Sequence, residues 1–261
     1  MAGTYLDRIV AAHRVAAAED DRVLDRLIEE AWGQPATRGF AAAIRAAEGL
    51  AVIAEIKRRS PSKGDLDADL DPAPLARAYE RGGAACLSVL TDGEFFGGSP
   101  DDLRAARAAT SLPVLRKDFT VAPADVCDAR IMGADAVLLI VAALDDAELA
   151  DLHALAREIS LDALVEVHDE AELDRAMALD AALIGVNQRD LVTFQVDRDR
   201  AVRVGKLLPD TVTRVAESGI TSPADAVPLA EAGYDAVLVG ESLVTSGDPA
   251  AAVARLRAAR R

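Results

Sequence analysis

The stretch Ala51–Gly64, AVIAEIKRRSPSKG, places a carboxylate and an ammonium where they can act together. Residues i and i+2 of a strand share a face, so Glu55 and Lys57 stand side by side at the end of an apolar run. Desolvating an isolated ion pair there is costly and calls for a reason. A loop with the turn residues Ser60, Pro61, Ser62 and Gly64 follows at once. A strand that ends in charge and runs into a polar loop suggests an active-site edge, with the Ser60–Gly64 loop as a lid. Taken alone, a plain strand end whose charges reach solvent would read the same way. Lysine usage favours the chemical reading. Of 29 basic residues, the lysines are Lys57, Lys63, Lys117 and Lys206 alone. In a chain that otherwise uses Arg, a retained Lys is a candidate for work that needs a compact, titratable amine. Lys57 and Lys63 flank the loop, Lys117 sits in a second strand-end motif, and Lys206 reads as a surface residue.

The elements that must position these groups follow from hydrophobic patterning. Thr4 can cap a helix from about Tyr5, with Asp7 in its first turn and Leu6, Ile9 and Val10 as its stripe. A second helical pattern carries Val23, Leu24, Leu27 and Ile28 on one face and stops near Gly33. Phe40, Ile44 and the run to Ala47 suggest a third. Residues 1–48 therefore form a strandless helical extension, whose removal (residues 1–47) would cost no strand. From residue 49 the texture changes to AVIAEI, AACLSVL, LPVLRKDF, ADAVLLIVA, DALVEVH, AALIGVN, TVTRVAES and YDAVLVG, separated by segments long enough for crossover helices. The gaps carry helix signals: Asp71-Pro72 as cap and first residue, and Gly82-Gly83 and Gly133 just past helix ends. The runs are apolar on both faces, as parallel strands covered by helices must be. The fold expected is α/β, a (β/α)8 TIM barrel over 49–261 behind the helical extension. A doubly wound open sheet is the alternative, weakened because no GxGxxG follows the first strand.

A barrel collects its functional residues at the carboxyl ends of its strands. Those ends hold Glu55 and Lys57, Arg116-Lys117-Asp118, Glu166 and His168, Asn187 and Arg189, Glu217-Ser218-Gly219, and Gly240-Glu241-Ser242. Solvation alone does not explain polar groups at so many ends.

Bulk composition narrows the function classes. A chain of 261 residues with 51% hydrophobic and 28% charged residues is globular and has ample core. Aromatic residues are only 3%, so the core is aliphatic and alanine-rich. The net charge of -15 argues against nucleic-acid and anionic-membrane partners. Cys86 and Cys127 have no metal spacing and read as buried thiols of a reducing compartment. The N-terminus lacks a signal-peptide pattern, and no run approaches a membrane span, so a cytoplasmic protein is expected.

The segments AEIKRRSPSKG, LTDGEFFGGS, LPVLRKDF, LVEVHDEAE, IGVNQRDL, VAESGI and VLVGESLV occur in this order, each on an expected strand and its following loop. Together they resemble the indole-3-glycerol phosphate synthase family, over essentially the whole chain including the helical extension, whose helices the resemblance implies pack over the barrel mouth. Two positions depart from the family pattern: Gln188, where a second Asn is common, and Glu241, where a small residue is common beside a phosphate. The resemblance implies ring closure of 1-(2-carboxyphenylamino)-1-deoxyribulose 5-phosphate to indole-3-glycerol phosphate, with loss of carbon dioxide and water. It implies Lys117 as general acid for ring closure and Glu166 as acid/base for dehydration. Lys57 would hold the substrate carboxylate or phosphate and share in dehydration. Glu55 and Glu217 would orient the lysines and the substrate, and Asn187 would bond a substrate hydroxyl. Ser218, Gly219, Gly240 and Glu241 would bind phosphate through backbone N–H groups, with Arg189 reaching the same side and Ser60 on the lid. Phe95 and Phe119 would wall the aromatic ring. Leu139 is a further candidate for that wall, although core packing suits it better.

The remaining singled-out residues read plainly. His13 and His153 are expected on helix surfaces and His168 behind the site. Glu19-Asp20-Asp21 and Asp145-Asp146 are expected at solvated helix starts. No metal spacing is present, and neither a metal nor another cofactor is expected. A phosphorylated small molecule is the expected partner and a monomer the expected state. Another phosphosugar barrel enzyme, such as a ketose isomerase, and a non-catalytic phosphate-binding barrel are the competing readings.

Overall fold

Eight apolar runs separated by amphipathic segments can bury both faces of every strand by closing on themselves, with helices outside. The computed structural model, which describes residues 4–61, 63–190 and 192–259, has this arrangement. Strands β1 (Ala51–Ile56), β2 (Cys86–Leu90), β3 (Val114–Lys117), β4 (Ala136–Ile140), β5 (Asp162–Val167), β6 (Leu183–Asn187), β7 (Thr213–Glu217) and β8 (Ala236–Val239) form a closed barrel. All pairings are parallel, and β8 returns to β1 with Ala51 opposite Ala236. Each strand corresponds to one of the apolar runs. An antiparallel pairing of Arg59–Ser60 with Gly64–Asp65 shapes the expected lid. Ser62 of that loop lies outside the described residues.

Strand periodicity divides the core in two. Ala51, Ile53, Leu115, Leu138, Leu164, Leu183, Val215 and Leu238 belong to the inner cluster. Their neighbours Val52, Ala54, Val114, Val137, Leu139, Val165 and Val237 pack with the helices instead. Counting by twos up the inner face leads from Ile53 to Glu55 and Lys57, from Leu115 to Lys117, and from Leu164 to Glu166. The same count leads from Leu183 to Gly185 and Asn187, from Val215 to Glu217, and from Leu238 to Gly240. The apolar residues that seal the barrel thereby fix which polar side chains face its mouth.

Three helices precede β1: α1 (Tyr5–Ala18), α2 (Leu24–Trp32) and α3 (Phe40–Ala46). The Thr4 hydroxyl accepts from the Asp7 amide at 3.1 Å, and Asp7 accepts in return from the Thr4 amide at 2.7 Å, a closed capping box. At the opposite end of the barrel from the mouth, α3 is the floor. Phe40, Ala41 and Ile44 are buried in the inner cluster. The Ala41 amide donates to Asp162 at 2.8 Å and the Arg45 guanidinium to the Thr213 hydroxyl at 2.9 Å. Losing residues 1–47 would therefore cost no strand but would unseal the core, a consequence that strand counting misses.

The outer helices are α4 (Pro72–Gly82), α5 (Pro100–Ala109), α6 (Pro123–Ile131), α7 (Asp146–Glu158), α8 (Glu170–Met177), α9 (Arg198–Gly205), α10 (Pro223–Glu231), the short α11 (Glu241–Val244) and α12 (Pro249–Arg257). Asp71 caps α4 by accepting from the Ala73 amide at 3.1 Å, and Gly83 ends it at φ 84°. Asp145 caps α7 as expected. Glu19 instead closes the end of α1, and Asp20 holds Arg22, which reaches across to Asp128 of α6 at 2.8 Å. That acidic run is a tether rather than a helix start. His153 also departs from expectation: it is buried in α7, because the helix turns that side toward the barrel.

Candidate active site

The inward residues at the carboxyl ends of the strands line a cavity of about 1200 Å³, counting the part open to solvent. Glu55, Lys57, Ser60, Lys117, Phe119, Glu166, Asn187, Arg189, Glu217, Ser218, Gly219, Gly240 and Glu241 all contribute to it. They come from six different strand ends, so only barrel closure brings them together.

Two lysines, each paired with carboxylates, lie at the base of the cavity. Lys57 Nζ lies 2.5 Å from Glu55 Oε1. Lys117 Nζ lies 2.6 Å from Glu166 Oε2 and 2.9 Å from Glu217 Oε2. Burial alone would push the Lys117 amine down, but the carboxylates of Glu166, Glu217 and Glu55 outweigh it and raise its pKa above the ordinary value. Lys117 is therefore an ammonium across the physiological range. The two carboxyls it bridges differ. Burial pushes Glu166 up, yet Lys117 and His168 pull it below the usual range, helped by the Asn187 amide donating to Oε1 at 3.0 Å. Glu217 has Lys117 on one oxygen, while the other is buried with no hydrogen-bond partner among the described residues. Burial, with the neighbouring Glu166 charge added to it, pushes Glu217 up. Glu166 is the ionised member of the pair and Glu217 the one that more readily holds a proton.

Space for these carboxylates is cut into the neighbouring strands. A Cβ at Gly185 would run into Glu217 Oε1, and one at Gly240 would run into Glu55 Oε1. The expectation assigned Gly240 to phosphate approach alone; its missing side chain also houses Glu55. Asn187 is engaged on both sides, since its Oδ1 accepts from the Arg189 amide at 3.0 Å. His168 stands behind Glu166, with Nδ1 3.0 Å from Glu172 and Nε2 3.5 Å from Glu166 Oε1.

The aromatic wall differs from expectation by one residue. Phe96, not Phe95, lines the cavity together with Phe119, their centroids 6.1 Å apart. Phe95 turns away and packs edge-on against Tyr5, centroids 5.9 Å apart, and Tyr5 meets Phe194 at 5.2 Å. Asp92 sets this turn by accepting the Phe95 and Phe96 amides at 2.6 and 3.0 Å. Of 5 phenylalanines, all but Phe40 gather at the mouth. Leu139 packs outward in the core, whereas Leu138 and Ile140 line the cavity, as strand alternation requires.

Tyr5, Leu6 and Ile9 of α1 also line the cavity and were not among the site residues expected from sequence. Their stripe was legible, and the family resemblance implied that the N-terminal helices pack over the mouth. His13 of the same helix is no surface residue either; it lies 3.0 Å from Asp92.

At the far side of the cavity, Ser218 and Gly219 adopt φ 64° and 72°. The Gln188 side chain donates to the Ser218 carbonyl at 2.8 Å and braces this left-handed turn, which gives the unusual Gln a local task. Gly240 opens α11, whose first amides have no partner within the helix. The Glu241 carboxylate is turned toward Lys63 of the lid, 3.7 Å away.

Comparison with known proteins agrees with this geometry. The family model described as indole-3-glycerol phosphate synthase matches residues 6–256. A relative of that name from Mycolicibacterium vanbaalenii is 54% identical over 255 residues, covering 97% of this chain and 93% of the relative. Another, from Mycobacteroides abscessus, is 51% identical over 256 residues, covering 97% and 94%. Among solved structures, a 3-hexulose-6-phosphate synthase superposes with TM-score 0.61 at 18% identity, covering 82% of this chain and 100% of that one. A thiamine phosphate pyrophosphorylase from Pyrococcus furiosus does so with TM-score 0.59 at 16% identity, covering 80% and 93%. At such identities these two share the barrel fold and nothing more specific. A family match over nearly the whole length, on a barrel whose mouth holds the motif residues in one cavity, means that the chain belongs to the indole-3-glycerol phosphate synthase family.

Proposed function

We propose that this cavity performs the family's ring closure on 1-(2-carboxyphenylamino)-1-deoxyribulose 5-phosphate with the residues described above. The observation that carries the reading is Lys117, an ammonium held between Glu166 and Glu217 in the cavity that the aromatic pair and the Ser218-Gly219 turn also line. The aromatic ring carbon bearing the carboxylate attacks the ketose carbonyl, and Lys117 protonates the carbonyl oxygen. Carbon dioxide then leaves and the ring regains aromaticity. In dehydration the hydroxyl departs as water, protonated by an acid, while a base takes the proton whose loss completes the indole. Glu166, held ionised, is the base; Lys57, beside Glu55, assists the leaving hydroxyl and holds the substrate carboxylate. Glu217 and Glu55 set the positions of the lysines, and Asn187 sets that of Glu166 while keeping one donor for a substrate hydroxyl. Phe96 and Phe119 wall the carboxyphenyl ring on one side. Backbone amides at Ser218-Gly219 and Gly240-Glu241, with Arg189, take the phosphate. Ser60 closes the lid side.

Residues 1–48 serve the barrel of residues 49–261 as an extension that floors it with α3 and roofs it with α1. Every proposed site residue comes from one chain, so a monomer suffices. The buried thiols of Cys86 and Cys127 fit a reducing cytoplasm. The test is to add the carboxyphenylamino-deoxyribulose phosphate and follow indole fluorescence. Rapid appearance is expected, and silence at high enzyme concentration overturns the reading.

A further inference from the structure

One residue of α1 takes no part in the steps above. His13 projects into the rim of the barrel, where Nε2 lies 3.0 Å from Asp92 Oδ2 and 3.8 Å from Asp118 Oδ1. Its ring packs on Phe119, with centroids 5.6 Å apart. Both carboxylates have second tasks. Asp92 holds the turn that presents Phe96, through the two amides already described. Asp118 sits between Lys117 and Phe119, accepts from the Phe119 amide at 2.9 Å and from Arg116 at 3.0 Å, and takes the Thr91 hydroxyl. A single imidazole thus touches both segments that carry the aromatic pair. We propose that His13 is a positioning residue whose imidazolium clamps α1 onto these two segments, so that the subsite for the substrate's carboxyphenyl ring is fully assembled only while His13 is protonated.

The charges around His13 favour that form. Asp92 faces it from the segment after β2, Asp118 from the end of β3, and Asp125 from α6. Arg116 is paired with Asp118, and Lys117 is turned toward Glu166 and Glu217. Burial pushes the imidazole down, but the hydrogen bond to Asp92 and the charges of the three aspartates outweigh it and raise its pKa above 6.5. A group raised in the folded state contributes fully below its unfolded value, and the contribution is lost as pH rises through the folded one. A neutral ring can still bond Asp92, but it no longer offsets the repulsion between Asp92 and Asp118. The same three side chains could suggest a cation site. Their oxygens, however, are already occupied by amides, Arg116 and Thr91, so the trio carries no metal proposal.

This inference rests on the ring subsite proposed above, and the experiment separates the two. Wild type, His13→Gln and His13→Lys are compared between about pH 6 and 9, the range in which a shifted imidazole titrates. In ligand-free protein, amide hydrogen exchange across residues 5–18 and the His13 imidazole signal are followed by NMR. In turnover, KM and kcat are separated. As pH rises through the His13 titration, wild type should lose exchange protection in α1 and its KM should rise several-fold, with kcat changed by less than about twofold. His13→Gln should have the raised KM throughout, and His13→Lys should keep a low KM to higher pH. His168 titrates beside Glu166, so its effect falls on kcat and persists in His13→Gln. If α1 exchange ignores both pH and the His13 variants, the clamp is overturned. If α1 loosens on titration while KM stays flat, the clamp stands and the ring subsite at Phe96 and Phe119 is what fails.

Discussion

At the residue scale the site is a matter of one shared ammonium and the room left for its carboxylates. Lys117 cannot be replaced by an isosteric apolar chain without leaving Glu166 and Glu217 unpaired next to each other. Lys117→Met should lower kcat by at least about 10²-fold, the lower end of what a positioned acid contributes. Circular dichroism should report an intact fold, and turnover within a few-fold of wild type would remove Lys117 from the acid role. Gly240 sits at the junction of two functions, beside the phosphate end and against the Glu55 carboxylate. Gly240→Asp adds an anion to the first and displaces the second. Phosphate interactions are felt equally in ground and transition states, so their loss raises KM. Displacement of Glu55 unseats Lys57, so kcat should fall as well. Steady-state kinetics with inorganic phosphate as a competing ligand would show both effects. An unchanged KM and unchanged phosphate inhibition would mean that the phosphate is held elsewhere.

At the element scale the three N-terminal helices do different work, and truncations should separate them. α3 floors the barrel through Phe40, Ala41 and Ile44, all buried in the inner cluster. Phe40→Ala should destabilise the protein by about 3–5 kcal/mol, the range for emptying a buried Phe site. Chemical denaturation would measure this, and activity of the folded fraction should survive, because the floor is remote from the mouth. α1 instead covers the mouth through Tyr5, Leu6 and Ile9. Deleting residues 1–20 should leave the barrel cooperative in denaturation and raise KM, with a smaller fall in kcat. An unchanged KM in that truncation would show that α1 takes no part in the substrate site.

At the scale of the whole molecule, charge sets the conditions under which the extension stays docked. The net charge of -15 opposes an anionic substrate only weakly, since exposed charges are screened beyond about 8 Å at physiological salt. Outside the mouth, two arginines tie the N-terminal helices to the barrel. Arg14 of α1 holds Glu148 of α7 at 2.6 Å, and Arg22 holds Asp20 and reaches Asp128 of α6. The hydrogen bonds from these arginines lower Glu148 from 4.5 to about 2 and Asp20 from 3.8 to about 2. Groups depressed in the folded state stabilise above their unfolded values, and that contribution fades as pH falls through the folded ones. Exposed pairs are worth little each, so the effect should be local. Between pH 4.5 and about 2, α1 should lose exchange protection before the barrel strands do. Hydrogen exchange at stepped pH would show this, and simultaneous loss in α1 and β1–β8 would refute it. The His13 clamp has the opposite sign, so α1 is held best in the interval between these carboxylate titrations and the imidazole one.

Strand periodicity alone determined much of this protein. A step of two is local and rigid, so once Ile53, Leu115, Leu164, Val215 and Leu238 are read as core, Glu55, Lys117, Glu166, Glu217 and Gly240 must share their face at the strand ends. The eight strands, the capped helices and the charged constellation were legible for that reason. Only tertiary structure decided the rest. Phe95 and Phe96 lie in a loop with no period, and Asp92 chose between them by capturing their amides. The resemblance put the N-terminal helices over the mouth, which holds for α1, but an apolar face alone does not say that α3 meets the floor instead. His13 and His153 occupy helical positions whose burial depends wholly on what packs opposite. The preference of Glu217 over Glu166 for a proton arises from partners at Lys117, Asn187 and His168. These are separated along the chain and become neighbours only when the barrel closes.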